Sequence, residues 1–174
     1  MLNVLRRSRE RRQLAGELHA ALVARAREPE FFATFGVKDT LDGRFDLIAL
    51  HAWLVLERLR DAGATSLSQA FIDAVFVGFD EGLRELGAGD IGMGKRVKKL
   101  ADAFYGRMQA YGEAADETAM EAALIRNLYR GTPELGAQPM AHYVMSARSR
   151  LKNSDIENGH IDFGPMPLPM PLKE

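Results

Sequence analysis

Gly89, Gly94 and Lys95 stand at the spacing of a G-x-x-x-x-G-K loop, in which backbone N–H groups and a lysine cradle phosphates. Such a loop continues with Ser or Thr, whose hydroxyl ligates Mg²⁺; here the next residue is Arg96. A phosphate loop also follows a buried parallel strand, whereas residues 80–86 read as helix. The competing reading is a glycine-rich turn, in which Gly87 ends one helix and Asp90 with the other glycines permits a tight reversal. The missing hydroxyl and the missing strand favour the turn over a degenerate nucleotide-binding enzyme.

Paired carboxylates are the next candidates for chemistry. Asp73 and Asp80 are seven residues apart and share a helical face, as do Glu81 and Glu85, four apart. Either pair could act as acid and base only if burial pushed its two pKa values apart. No nucleophile accompanies them, so a solvated face with an i, i+4 pair between Asp80 and Arg84 is the plainer reading. His51, two residues before Trp53 in an apolar run, reads either as a haem ligand or base, or as a core histidine with its hydrogen bond satisfied. Trp53 reads as a core aromatic. The four histidines form no metal-ligating pair at helical spacing, and the chain has no cysteine. Disulfides, thiolate metal sites and cysteine nucleophiles are therefore excluded, and no cofactor is expected.

Two basic runs remain. Arg6, Arg7, Arg9, Arg11 and Arg12 crowd the start of the chain, and Lys95, Arg96, Lys98 and Lys99 follow the glycines. With a net charge of −1, the whole molecule is not an electrostatic nucleic-acid binder, and no DNA partner is expected. No aromatic residues are interleaved with the lysines for base stacking. Each run alone reads as a solvated face; together they suggest a surface for an anionic partner, either a membrane or RNA.

The elements that must carry these residues are helical almost throughout. Leu14, Leu18 and Leu22 recur every four residues within a first helix over 3–27. A connection over 28–42 carries Phe31, Phe32 and Phe35, which should pack onto the core. The second helix, 43–61, is apolar on more than one face and should be central, with Gly63 as its C′ residue. Ser66 and Gln69 make a capping-box pattern opening a third helix over 67–86. A fourth helix, 94–111, sets Val97, Leu100, Phe104 and Met108 on one seam, and its N-terminal cations oppose the helix dipole. Thr118 and Glu121 form a second capping-box pattern for a fifth helix reaching Tyr129, stopped by Gly131 and Pro133. A sixth covers 136–152, with Arg148, Arg150 and Lys152 at the end where the dipole favours them. Pro165, Pro167, Pro169 and Pro171 alternate with apolar residues in 153–174, which should be non-helical: a free tail or an arm laid across the body.

The expected fold is thus all-α, a single-domain bundle of about six helices over 1–152 with an extended proline-rich C-terminal tail over 153–174. At 47% hydrophobic residues, 174 residues can bury one core. The longest apolar run, 45–56, is shorter than the ~20 residues of a spanning helix. The first residues lack the apolar stretch of a secretory signal, and Glu10 and Glu17 argue against a mitochondrial presequence, so a cytoplasmic protein is expected.

Residues 45–60 (FDLIALHAWLVLERLR), 76–111, with FDEGLRELGAGDIGMGKRVKKLADAFYGR at their centre, and 122–131 (AALIRNLYRG) resemble the ubiquinol–cytochrome c chaperone family. The resemblance covers about residues 45–130, roughly half the chain. It implies a helical, non-enzymatic assembly factor that binds newly made cytochrome b during biogenesis of the ubiquinol–cytochrome c reductase complex. Work beside the inner membrane in a bacterial cytoplasm is then the expected setting, with the mitochondrial matrix as the alternative. On this reading Asp80, Glu81, Arg84, Asp90, Ile91, Met93, Lys95, Arg96, Val97, Lys98 and Lys99 form the client-contact region. Charges orient the client there, and Ile91, Met93 and Val97 supply apolar contact. Arg6, Arg7, Arg9, Arg11 and Arg12 are the candidates for contact with an anionic membrane surface or a ribosome. The alternative from a different class is a basic-patch helical module that binds RNA or lipid without a dedicated client.

Overall fold

A computed structural model describes residues 2–85 and 93–166. The described residues are helical and contain no strand: α1 (Leu2–Ala26), the single-turn α2 (Glu30–Ala33), α3 (Leu41–Asp61), α4 (Thr65–Glu85), α5 (Met93–Gly112), α6 (Glu117–Asn127) and α7 (Ala137–Leu151). A short 3₁₀ turn, Ile156–Asn158, follows. The six long helices match the six expected, with ends shifted by one or two residues, and the fold is an all-α single domain.

Helix α3 is the axis of the bundle, as its many-sided apolar pattern predicts. Leu47, Leu50, Trp53, Leu54 and Leu59 are all buried, and α1, α4, α5 and α7 pack around them. Its start is fixed by Thr40, whose hydroxyl accepts a hydrogen bond from the Gly43 N–H at 3.1 Å. A side chain at Gly43 would bring its Cβ to 2.0 Å from the Lys38 carbonyl oxygen, so only glycine lets the incoming chain cross there. Its end is the expected glycine cap. Gly63 has φ +70°, and the Gly63 and Ala64 N–H groups return to the Arg60 and Leu59 carbonyls.

Both capping-box patterns resolve differently. Helix α4 already begins at Thr65, so Ser66 lies within its first turn and Gln69 donates forward to Asp73 at 3.0 Å. In α6 the cap is Asp116, which accepts from the Ala119 N–H at 2.8 Å; Thr118 sits inside the helix. An aspartate two residues earlier wins because its carboxylate also complements the dipole at the helix start.

The phenylalanine-rich connection packs inward as expected. Phe31 lies edge-on to His51 and Tyr143, with ring centroids 5.3 and 5.5 Å apart. Residues 153–166 lie across the body as an arm. Ile156 and Phe163 are buried, Phe163 meets His51 edge-on at 5.2 Å, and Arg25 donates to the Gly164 carbonyl. The 3₁₀ turn within this arm departs from the non-helical expectation, because it forms before Pro165, the first residue that would forbid it. Pro167, Pro169 and Pro171 lie outside the described residues.

Candidate functional site

Charged and aromatic side chains gather in two places. The first is the interior around α3. Asp46 is fully buried and faces Arg107 of α5 and, at 2.9 Å, Arg130, which follows α6. Burial pushes the Asp46 carboxyl up to about 6, against the pull of the two guanidinium groups. Arg107 also lies over the Phe45 ring at 5.0 Å. One helical stretch further on, buried Glu57 takes both ends of the Arg148 fork at 2.6 Å, while Arg148 covers the Trp53 ring at 5.4 Å. Arg148 is therefore a cross-bundle tie to α3 rather than a dipole charge at the end of α7, because the bidentate carboxylate outweighs the diffuse field of a helix terminus.

His51 belongs to the same interior. Its Nδ1 is 2.8 Å from the Leu47 carbonyl oxygen, to which it donates, and Nε2 accepts from the Tyr143 hydroxyl at 2.9 Å. Burial lowers its pKa to about 4, so the ring is neutral at pH 7. With both nitrogens engaged inside the core, His51 has no free position for a haem iron or a proton transfer. No group of three or more metal-ligating side chains occurs among the described residues.

The second place is the outer face of α4 and α5, which carries the described residues of the expected client-contact region other than Glu81, while Arg6, Arg7, Arg9, Arg11 and Arg12 lie apart on α1. Asp80 and Arg84 form the expected i, i+4 pair at 2.9 Å. Glu81 is exposed on the side of α4 near His19, so it does not join that pair. Lys95, Arg96, Lys98 and Lys99 are exposed at the start of α5, and Val97 is half-buried beneath them. Asp90 and Ile91 lie outside the described residues, as does the side chain of Met93. Of the G-x-x-x-x-G-K spacing, Gly94 and Lys95 lie in the first turn of α5, and Gly89 is outside the described residues.

What sequence reasoning missed is the apolar part of this face. Phe76 and Phe79 of α4 meet Phe104 of α5 at 5.4 and 6.2 Å, and Phe79 also meets Phe45 at 5.0 Å. Over this cluster Tyr105 stacks on Phe76 at 6.3 Å and remains 53% exposed, and Val77 is 56% exposed. Val77 comes two residues after buried Val75, which turns it to the far side of the helix. Tyr105 directly follows buried Phe104 and lies a seven-residue step from Lys98, so the two share a face. Those offsets were legible as apolar residues off the core stripe. The exposed Val77 and Tyr105, the apolar ridge of this outer face, thus have Asp80 one turn along α4 and Lys98 two turns along α5.

No described helix is long and apolar enough to cross a membrane. Comparison with known proteins adds three findings. A model of the ubiquinol-cytochrome C chaperone family matches residues 33–158. The ubiquinol-cytochrome-c reductase complex assembly factor 1 of Xenopus laevis is 24% identical over 115 residues, which are 64% of this chain. The matched region spans 58% of that relative's length. The crystal structure of the Cbp3 homolog from Brucella abortus superposes with a TM-score of 0.78 at 35% identity, covering 93% of this chain and 97% of the other.

Proposed function

The chain belongs to the ubiquinol–cytochrome c chaperone family, and from that premise we propose that it holds newly made cytochrome b during assembly of the reductase complex. It does so without catalysing a reaction, beside the membrane that receives the client. The observation that carries this reading is the pair of exposed apolar side chains Val77 and Tyr105, the latter stacked on Phe76, on the two helices that also carry the Asp80–Arg84 pair and the exposed lysines at the start of α5. An exposed apolar patch rimmed by charge is what a holder of apolar segments requires. Val77 and Tyr105 contact the client's apolar side chains. Asp80, Arg84, Lys95 and Lys98 orient its polar flanks, with Glu81, Arg96, Val97 and Lys99 as further contacts, and Asp90, Ile91 and Met93 are assigned to the client from their place in the sequence alone.

A photo-crosslinking amino acid at position 77 or 105, in cells synthesising cytochrome b, tests the assignment. Adducts with cytochrome b at both positions, and none from position 126 on exposed Arg126 of α6, are expected. Adducts from position 126 alone would remove the client surface from α4 and α5. Normal reductase assembly in cells lacking the protein would remove the function itself.

A further inference from the structure

Helix α1 carries a second surface, and it is independent of the client ridge. Val4 and Leu22 are eighteen residues apart, about five helical turns, and so lie on one face. Ala15, Leu18, Leu22 and Ala26 of that face are buried in the core. Val4 is 70% exposed and the adjacent Leu5 is 65% exposed. The core-facing stripe thus continues through half-buried Arg11 and Ser8 to exposed Val4, where no bundle lies beneath it: the first two turns overhang the body, and the arginines after them stand at its edge.

The overhang is strongly cationic. Arg6, Arg7, Arg9, Arg11 and Arg12 face a single glutamate, Glu10, which lies 3.5 Å from Arg6. Arg7, Arg9, Arg11 and Arg12 have no carboxylate partner among the described residues. The first turn holds no acidic residue, so these cations also oppose the helix dipole. At 100° per residue, the arginines point to all sides of the helix, and any approach to an anionic surface engages several of them. Val4 and Leu5 lie at the outer end of this ring. Arginine stems bury along an apolar boundary while their heads stay at the phosphate level, and short apolar side chains enter below them. No aromatic side chain lies within residues 2–13 for base stacking, which separates this surface from a single-strand RNA binder.

We infer that the overhanging turns of α1 dock the protein on an anionic phospholipid bilayer, with Arg7, Arg9 and Arg12 at the headgroups and Val4 and Leu5 in the interface. Each arginine near such a surface strengthens attachment about fivefold, and salt weakens it. Flotation of the full chain with phosphatidylcholine vesicles, with and without phosphatidylglycerol, reads this directly. Binding is expected only with phosphatidylglycerol, falling as salt rises. The Arg7→Ala/Arg9→Ala/Arg12→Ala variant keeps its helix, since alanine is the strongest helix former, and should bind about a hundredfold more weakly. The Val4→Ser/Leu5→Ser variant should bind more weakly with an unchanged salt dependence.

Equal binding to neutral vesicles overturns the inference, as does undiminished binding by the arginine variant. Displacement from the vesicles by single-stranded RNA at equal charge reassigns the overhang to nucleic acid. A solution dimer that Val4→Ser/Leu5→Ser dissociates, without vesicle binding, reassigns it to a second copy of the chain. Crosslinking at positions 77 and 105 is read separately, so failure here leaves the client ridge standing.

Discussion

The interior of α3 and the outer face of α4 and α5 are built from the same materials and behave in opposite ways. Each combines carboxylates, basic side chains and aromatic rings. Inside, Glu57 is closed by a two-pronged Arg148, Asp46 by Arg107 and Arg130, and His51 by Tyr143. Outside, the Asp80–Arg84 pair stands in solvent and the apolar Val77 and Tyr105 stand beside it. A buried carboxylate needs its partner for the bundle to hold together. An exposed pair contributes little to stability and leaves its charges free to meet another molecule. Residue type alone therefore does not separate the two regions; burial beside an opposite charge does.

The largest effect that sharpens this contrast comes from breaking the Glu57–Arg148 pair. Arg148→Met keeps the bulk over Trp53 but leaves the buried Glu57 carboxylate with only the exposed Arg60, 3.6 Å away, as a cation. It should cost about 4 kcal/mol in urea unfolding. Arg148→Lys retains charge but not the fork and should cost less. If Arg148→Met changes stability no more than a surface substitution, the interior charges are not structural ties.

Next in size is a pair of opposed pH dependences. In the folded state Asp46 is raised to about 6 by burial, so the folded chain binds its proton more tightly than the unfolded one. Its contribution is greatest below the unfolded value near 3.8 and is lost as pH rises to 6. His51 is lowered to about 4, so the unfolded chain binds that proton more tightly. Its contribution is full above 6.5 and is lost as pH falls to about 4. Each amounts to about 3 kcal/mol, with opposite signs over nearly the same window. Asp46→Asn should remove the falling contribution and expose the His51 slope, so that its unfolding free energy rises between pH 4 and 6.5 more steeply than that of the unaltered protein. Parallel pH profiles for the two proteins would show that Asp46 does not titrate there.

A smaller interior effect is expected at Tyr143. Tyr143→Phe keeps the ring beside Phe31 and removes only the hydroxyl that donates to His51 Nε2. A buried acceptor is left unpaired, at a cost of about 1.5 kcal/mol. A neutral result by thermal unfolding would mean that another donor reaches the ring.

The same contrast explains what was legible in the sequence. The long helices, the central position of α3, the Gly63 cap and the inward packing of Phe31 follow from periodicity and turn chemistry, which act between near neighbours. The Asp80–Arg84 pair was legible for the same reason, being one turn apart. Glu57 with Arg148 and Asp46 with Arg107 were not, because each pair joins residues that only the folded bundle brings together. The Asp116 cap was missed because a capping-box spacing two residues later competed with it. The ridge was half legible: its charges stood out, while Val77 and Tyr105 went unremarked, although their offsets from Val75 and Phe104 take them off the core stripe.

The smallest effect is the most discriminating. Val75 and Val77 are the same residue type, two positions apart on one helix, but Val75 is buried and Val77 is 56% exposed. Valine and serine have similar helix propensities, so Val→Ser at either position changes little in the helix itself. At position 75 the substitution buries an unpartnered hydroxyl and removes apolar volume, and should cost about 2 kcal/mol or more. At position 77 it should change stability by less than about 0.5 kcal/mol. Client crosslinking from position 105 should nevertheless fall in the Val77→Ser protein, since the apolar ridge is interrupted while the bundle is intact. Retained crosslinking with unchanged stability would make Val77 an ordinary exposed valine and narrow the client surface to Tyr105 and its neighbours. A loss of stability at position 77 as large as that at 75 would erase the distinction between the two regions, because the outer face would then be core in all but exposure.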